Sequence, residues 1–171
     1  MLRNGLSALT GVIAAVMLMM VIQKVALAAF PPSKEIFEAN RKIYDADPAV
    51  VEQARDIFAR ELPKHPLQLV LIIVSHALGT FFGAFTAVRI SREAQLVPAS
   101  IVAGLMLLGG ICNVILIPHP VWFNIIDLLL YIPAALLAWK LTTSEATDAA
   151  IDPAPPDDDP TTTATTTTVE P

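Results

Sequence analysis

Asp127 has the greatest capacity for chemistry in this chain, and the least expected setting. It lies inside the apolar run Val121–Trp139, three residues after Asn124 and four before Tyr131. On a helix those spacings put all three on one face. Polar groups interrupt the other apolar runs too: Gln23 and Lys24 the first, Ser75 and His76 the second, Cys112 and Asn113 the third. A carboxylate beside an amine or an imidazole can exchange protons, and a carboxylate with histidines can hold zinc or another divalent cation. At membrane depth such groups are costly, so each marks function or specific packing.

Spacing narrows the chemistry. His65, His76 and His119 form no HxxxH or HExxH pair. No serine sits in a nucleophile elbow, and no glycine loop resembles a phosphate cradle. The single cysteine, Cys112, excludes an internal disulfide and a cysteine-based zinc site, and is expected to be a small buried hydrophobe. No metal or cofactor is therefore expected. Unpaired, Asp127 would cost about 2.5–3.5 kcal/mol at mid-membrane. It is expected to pair with Lys24 or His76, or to be protonated. Lys24 has a second option, since a long lysine stem can snorkel to the interface. His76 and Asn113 read as interhelical hydrogen-bond partners, worth about 0.6 kcal/mol on average.

These residues fall at similar depth. At about 1.5 Å per residue, Asp127 is roughly 10 Å from Pro120, Asn113 about 8 Å from Pro118, His76 about 15 Å from Pro66, and Lys24 about 10 Å from Pro31. The expectation is one intramembrane polar network of Gln23, Lys24, Ser75, His76, Asn113, Asn124, Asp127 and Tyr131, shared by all the spans.

The elements that must position them are membrane helices. Of 171 residues, 54% are hydrophobic and 16% charged, against about 25% charged in average soluble domains. Apolar runs at about 5–29, 67–88, 97–117 and 121–140 approach or pass the roughly 20 residues that cross a bilayer. The expected fold is an all-α membrane protein, a four-helix transmembrane bundle over residues 1–141. The first run could be taken for a signal peptide, with Arg3 before it and Ala26-Leu27-Ala28 after it. Its apolar core is longer than the usual 7–15 residues, which favours an uncleaved anchor.

Residues 31–66 form the substantial loop. Ser33 is a candidate helix cap, and Ile36, Phe37, Ile43 and Tyr44 fall at helical spacing. Asp47-Pro48 reads as an N-cap followed by proline at the first helical position. Val50, Val51, Ala54, Ile57, Phe58 and Leu62 make one apolar face, and Pro63 ends that helix. Acids and bases nearly balance on its other face, so capping the bundle is favoured over binding anionic lipid. From Thr142 onward, Thr, Pro, Asp and Ala without apolar period predict a disordered acidic tail over 142–171.

Ser75, Gly79, Gly83 and Ala87 form a stripe of small residues at four-residue spacing. In lipid, where apolar burial does not drive helices together, such a stripe signals close backbone approach. Ser7, Gly11 and Ala15 repeat it weakly, and Ser100, Gly104 and Gly109-Gly110 offer a third. Contact within one chain is favoured over a dimer face.

Four spans put both termini on one side, together with Arg3, Arg89, Arg92 and Lys140. That suits the cytoplasm, although Lys34, Arg41, Lys42, Arg55, Arg60 and Lys64 lie opposite. The expected location is the cell inner membrane, multi-pass, with cytoplasmic termini. The expected partners are the lipid bilayer and a homo-oligomer or membrane-protein partner; no basic patch suggests nucleic acid.

The segments Ile117-Pro118-His119-Pro120-Val121-Trp122-Phe123, His76-Ala77-Leu78-Gly79-Thr80-Phe81-Phe82-Gly83 and Phe30-Pro31-Pro32 resemble a group of small bacterial four-span membrane proteins of uncharacterised function. The likeness covers residues 1–140 loosely. It implies a Glu and a His in the last turns of the first span, where this chain has Gln23 and Leu27. Their loss speaks against a metal or hydrolytic role.

Three functions remain in view. The leading one is a non-enzymatic structural, accessory or interaction subunit. The alternatives are a small oligomeric transporter or proton-coupled carrier using Asp127, and a membrane enzyme using His76, His119 and Asp127.

Overall fold

The computed structural model describes residues 2–91 and 96–151, and among these the chain is helical with no strand. Its elements are α1 (Leu2–Ala29), α2 (Lys34–Lys42), α3 (Pro48–Glu61), α4 (Pro66–Ser91), α5 (Leu96–Leu116) and α6 (Val121–Ile151). Four of them, α1, α4, α5 and α6, are long and apolar enough to cross a membrane. The protein is an all-α membrane bundle with two short helices between the first and second spans.

Local chemistry sets the loop. Ser33 Oγ accepts from the Ile36 amide at 3.3 Å and starts α2. Asp47 Oδ1 accepts from the Ala49 amide at 2.9 Å and starts α3, with Pro48 in the first turn where no amide is needed. Pro63 turns the end of α3 into a short 3-10 turn at Leu62–Lys64. Ile36, Ala39 and Ile43 of the first loop helix and its following turn pack with Ala54, Phe58 and Leu62, and with Leu69, Ile73 and Phe123 of the spans below. Of Ile36, Phe37, Ile43 and Tyr44, the residues at helical spacing, only Ile36 and Ile43 are buried; Phe37 and Tyr44 are 55% and 74% exposed.

The loop is also fastened by side chains. Arg55 Nη1 donates to the carbonyls of Ile115 and Leu116 at 2.8 and 3.0 Å. These are carbonyls of the last turn of α5, so a cation from α3 caps the negative end of a span. Gln68 Nε2 donates at 3.2 Å to the carbonyl of Phe30, just past the end of α1.

The spans meet through small residues. The stripe Ser75, Gly79, Gly83, Ala87 on α4 faces Gly11, Ala15 and Met19 of α1. A Cβ on Gly83 would lie 2.6 Å from the Gly11 carbonyl oxygen and 2.7 Å from the Ala15 Cβ. The contact lies within one chain, and Ser7 and Ala15 are fully buried. The third stripe does not behave alike. Ser100, Gly104 and Gly109 are exposed, and Cβ atoms on Gly104 and Gly109 would meet nothing. Gly110 is the member that packs.

Two expectations need correction. Cys112 is exposed rather than buried, because its position on α5 falls on the outer face beside Ile111 and Ile115. The disordered tail was expected from 142, yet α6 continues to Ile151. Thr142 and Thr143 return their hydroxyls to the carbonyls of Ala138 and Trp139, at 2.8 and 3.1 Å, so polar residues continue the helix without leaving an unsatisfied group. The rest of the expected tail, 152–171, lies outside the described residues.

Gly83→Ala should destabilise the bundle by about 1–3 kcal/mol, since backbone atoms block the methyl group. Gly109→Ala meets open space and should be neutral or slightly stabilising through helix propensity. Unfolding in mixed detergent and dodecyl sulfate measures both; equal effects would contradict the packing.

Candidate functional site

Ser75 and His76 are neighbours in sequence but point about 100° apart around α4. One therefore faces α1 and the other α6. Ser75 Oγ accepts from Gln23 Nε2 of α1 at 3.2 Å and donates to the Ile72 carbonyl at 2.7 Å. His76 turns to α6, where its Nδ1 lies 2.7 Å from Asp127 Oδ1.

Asp127 is fully buried and uses both oxygens. The second, Oδ2, accepts from the Tyr131 hydroxyl at 3.3 Å. That hydroxyl also lies 3.0 Å from His76 Nδ1, and the two rings stack with centroids 5.9 Å apart. One proton assignment satisfies all three groups. Nδ1–H donates to Oδ1 and the tyrosine hydroxyl donates to Oδ2, while the Nδ1–H is partly shared with the tyrosine oxygen. This leaves the His76 lone pair on Nε2 when the ring is neutral. Helix geometry explains why Tyr131 reaches Asp127: they are one turn apart on α6. Their ring space comes from α5, where a Cβ on Gly110 would sit 2.7 Å from Tyr131 Cε2.

Above the triad, toward the loop, Leu69, Ile73 and Phe123 are buried in the cluster made with α2 and α3. His119 stacks on Phe123, centroids 4.5 Å apart. Burial pushes the His119 imidazole below its ordinary value of 6.5; its link to the Ile117 backbone and the charge of Asp127 push the other way, and His76 adds to the lowering. His119 Nδ1, Asn124 Oδ1 and Thr80 Oγ1 are buried with no hydrogen-bond partner among the described residues. Asn124 is one turn above Asp127, and Thr80 one turn below His76, so these polar atoms flank the triad along the α4–α6 seam.

The expected single network thus resolves into two separate contacts, about 100° apart around α4. Gln23 joins Ser75; His76, Asp127 and Tyr131 join each other. Lys24 is exposed and makes no hydrogen bond or ion pair among the described residues, because it points off the α1 face that meets α4. Asn113 is half-buried, and its side chain has no hydrogen-bond partner among the described residues. Asn124 shares the face of Asp127 but bonds to neither partner. Thr80 and Gly110 were not singled out for this site. Thr80 had a legible signal, four residues after His76; the role of Gly110 has none, since it consists of space left for another helix's ring. Among the described residues, no group of three or more His, Cys, Asp or Glu side chains could hold a metal ion.

What this arrangement can do is hold one proton between an imidazole and a carboxylate, oriented by a phenol. Tyr131→Phe should cost about 0.6 kcal/mol, and up to about 1.7, as one interhelical hydrogen bond in a membrane. His76→Leu leaves the carboxylate unpaired and should cost more, about 2.5–3.5 kcal/mol if Asp127 stays charged. His76→Leu combined with Asp127→Leu should then cost less than His76→Leu alone, because no buried charge remains. Additive losses in the double variant would refute the pairing.

His119 sets a pH dependence with a definite sign. Its folded value is below 6.5, so the unfolded chain binds the proton more readily. The associated stability is present above 6.5 and is lost as pH falls through the lower, folded value. Unfolding measured against pH should show this slope in the wild type and a smaller one in His119→Gln; identical slopes would remove the assignment.

Comparison with protein-family models, with curated proteins and with solved structures finds no match to this chain.

Proposed function

We propose that this chain is a non-enzymatic, multi-pass protein of the cell inner membrane, acting as a structural, accessory or interaction subunit, with both termini in the cytoplasm. The observation that carries this reading is the closure of the triad. Asp127 is 0% exposed with both oxygens engaged. Among the surface hollows of the described residues, one lies between α5 and α6 around Ala103 and Leu136 and another on the loop around Asp45 and Arg55, and neither of these is lined by a triad residue. A carboxylate paired in this way fastens α4 to α6. The likeness to small four-span bacterial proteins, carried by Ile117–Phe123, agrees with a bacterial membrane setting. Arg3, Arg89, Arg92 and Lys140 near the span ends support the orientation.

A second reading is a small proton-coupled carrier that works as an oligomer. It draws on His76, which keeps 7% exposure and whose Nε2 is not engaged in the triad. Vesicles containing the purified protein separate the two. The subunit reading expects no proton flux above empty vesicles, and a stable oligomer or bound partner in mild detergent. Flux that disappears in Asp127→Asn would replace it with the carrier, and a lone monomer would count against it. A reporter active only in the periplasm, fused to the C-terminus, should be silent; activity there reverses the orientation.

A further inference from the structure

The two short loop helices do not use their polar surfaces alike. The buried side of α2 is Ile36 and Ala39, continued by Ile43 in the turn that follows. At about 100° per residue, Lys34, Phe37 and Arg41 fall within about 60° of one another on a different side, and Tyr44 stands in the turn after the helix. All four are exposed. Two large aromatics standing open at this level are unexplained by the bundle, which they do not help to pack. None of Lys34, Arg41 and Lys42 makes a hydrogen bond or ion pair among the described residues. The acids of α2, Glu35 and Glu38, lie to one side of the stripe, and Asn40 to the other.

Position decides what meets this stripe. The span Arg3–Ala29 has 27 residues, about 40 Å of helix, close to the ~40–45 Å of a bilayer with its headgroups. Its C-terminal end therefore lies in the headgroup layer. Only Phe30 to Ser33 separate it from α2, so α2 cannot start more than about 17–18 Å away. Trp122, 41% exposed at the start of α6, lies at the same end of the bundle. Amphipathic aromatics concentrate at that interface. Lys24 is exposed about 8 Å below Ala29, within reach of the same layer by extending its stem.

We propose that the stripe Lys34–Phe37–Arg41–Tyr44 is a phospholipid-binding surface that seats α2 in the headgroup layer. Phe37 and Tyr44 enter the boundary between headgroups and acyl chains, and Lys34 and Arg41 bind lipid phosphates. Arg41 can take a phosphate in two parallel hydrogen bonds, and Lys34 binds as a point charge. The partner is the bilayer itself, and anionic lipid is preferred because the added negative surface charge attracts both cations. The loop then has two anchors, Arg55 to the end of α5 and the α2 stripe to lipid.

The test uses the full chain in vesicles. On a Cys112→Ser background, a nitroxide is placed at Phe37→Cys or, as the solvent-side control, at Glu35→Cys. Collision with oxygen, which concentrates in the membrane, is compared with collision with an aqueous nickel chelate. The oxygen-to-nickel ratio should be several-fold higher at position 37 than at 35 in phosphatidylcholine. It should rise further in an equal mixture with phosphatidylglycerol. Lys34→Gln with Arg41→Gln should abolish that rise while gel filtration and helix content stay those of the parent. Equal ratios at 37 and 35 overturn the seating of α2. A phosphatidylglycerol rise that is absent in the parent, or survives loss of both cations, overturns phosphate binding.

Discussion

Gly11 and Gly83 bring the backbones of α1 and α4 so close that each faces the other's carbonyl oxygen. This approach is the constraint on which the rest of the bundle depends. Within lipid, a leucine gains little by leaving one apolar neighbour for another, so helices associate by close dispersion contact and by polar groups. The α1–α4 contact supplies the first and places Ser75 against Gln23. Because side chains on a helix rotate by about 100° per residue, fixing Ser75 toward α1 aims His76 toward α6. The triad is therefore a consequence of which way α4 faces.

The two sides of α4 make different demands on the residues they meet. Toward α1, at Gly83 even a methyl group would meet the facing backbone. Toward α6, the space is filled by Tyr131, whose ring is admitted by Gly110 of α5. Three spans thus build one buried cluster, although only two supply its polar atoms. The cluster is closed from above by Phe123, Leu69 and Ile73, which pack under α2 and α3. Arg55 ties this cover to the end of α5. Loss of the loop would expose apolar surface and leave two helix carbonyls without their cation.

Much of this was legible in the residues. Ser33 and Asp47-Pro48 start helices because their side chains accept amides that the first turn cannot otherwise satisfy. Asn124, Asp127 and Tyr131 share a face by spacing alone. The stripe on α4 marks a close contact for the same reason in any partner. Other positions were not legible. Cys112 and Lys24 sit in apolar runs as His76 does, yet they point outward, and a run hydrophobic on all sides carries no periodicity to tell inward from outward. Arg55 is the plainest omission, since its role lies in carbonyls sixty residues away.

Length, hydropathy and caps are properties of local segments, so the sequence by itself determined the helices, the spans and the place of the loop. It also placed Asp127 within one turn of Tyr131. Tertiary structure alone decided that His76, rather than Lys24, meets that carboxylate, and that the polar layer divides into two contacts. The reason is rotational: each span is apolar on every side, and only its neighbours determine which side faces inward.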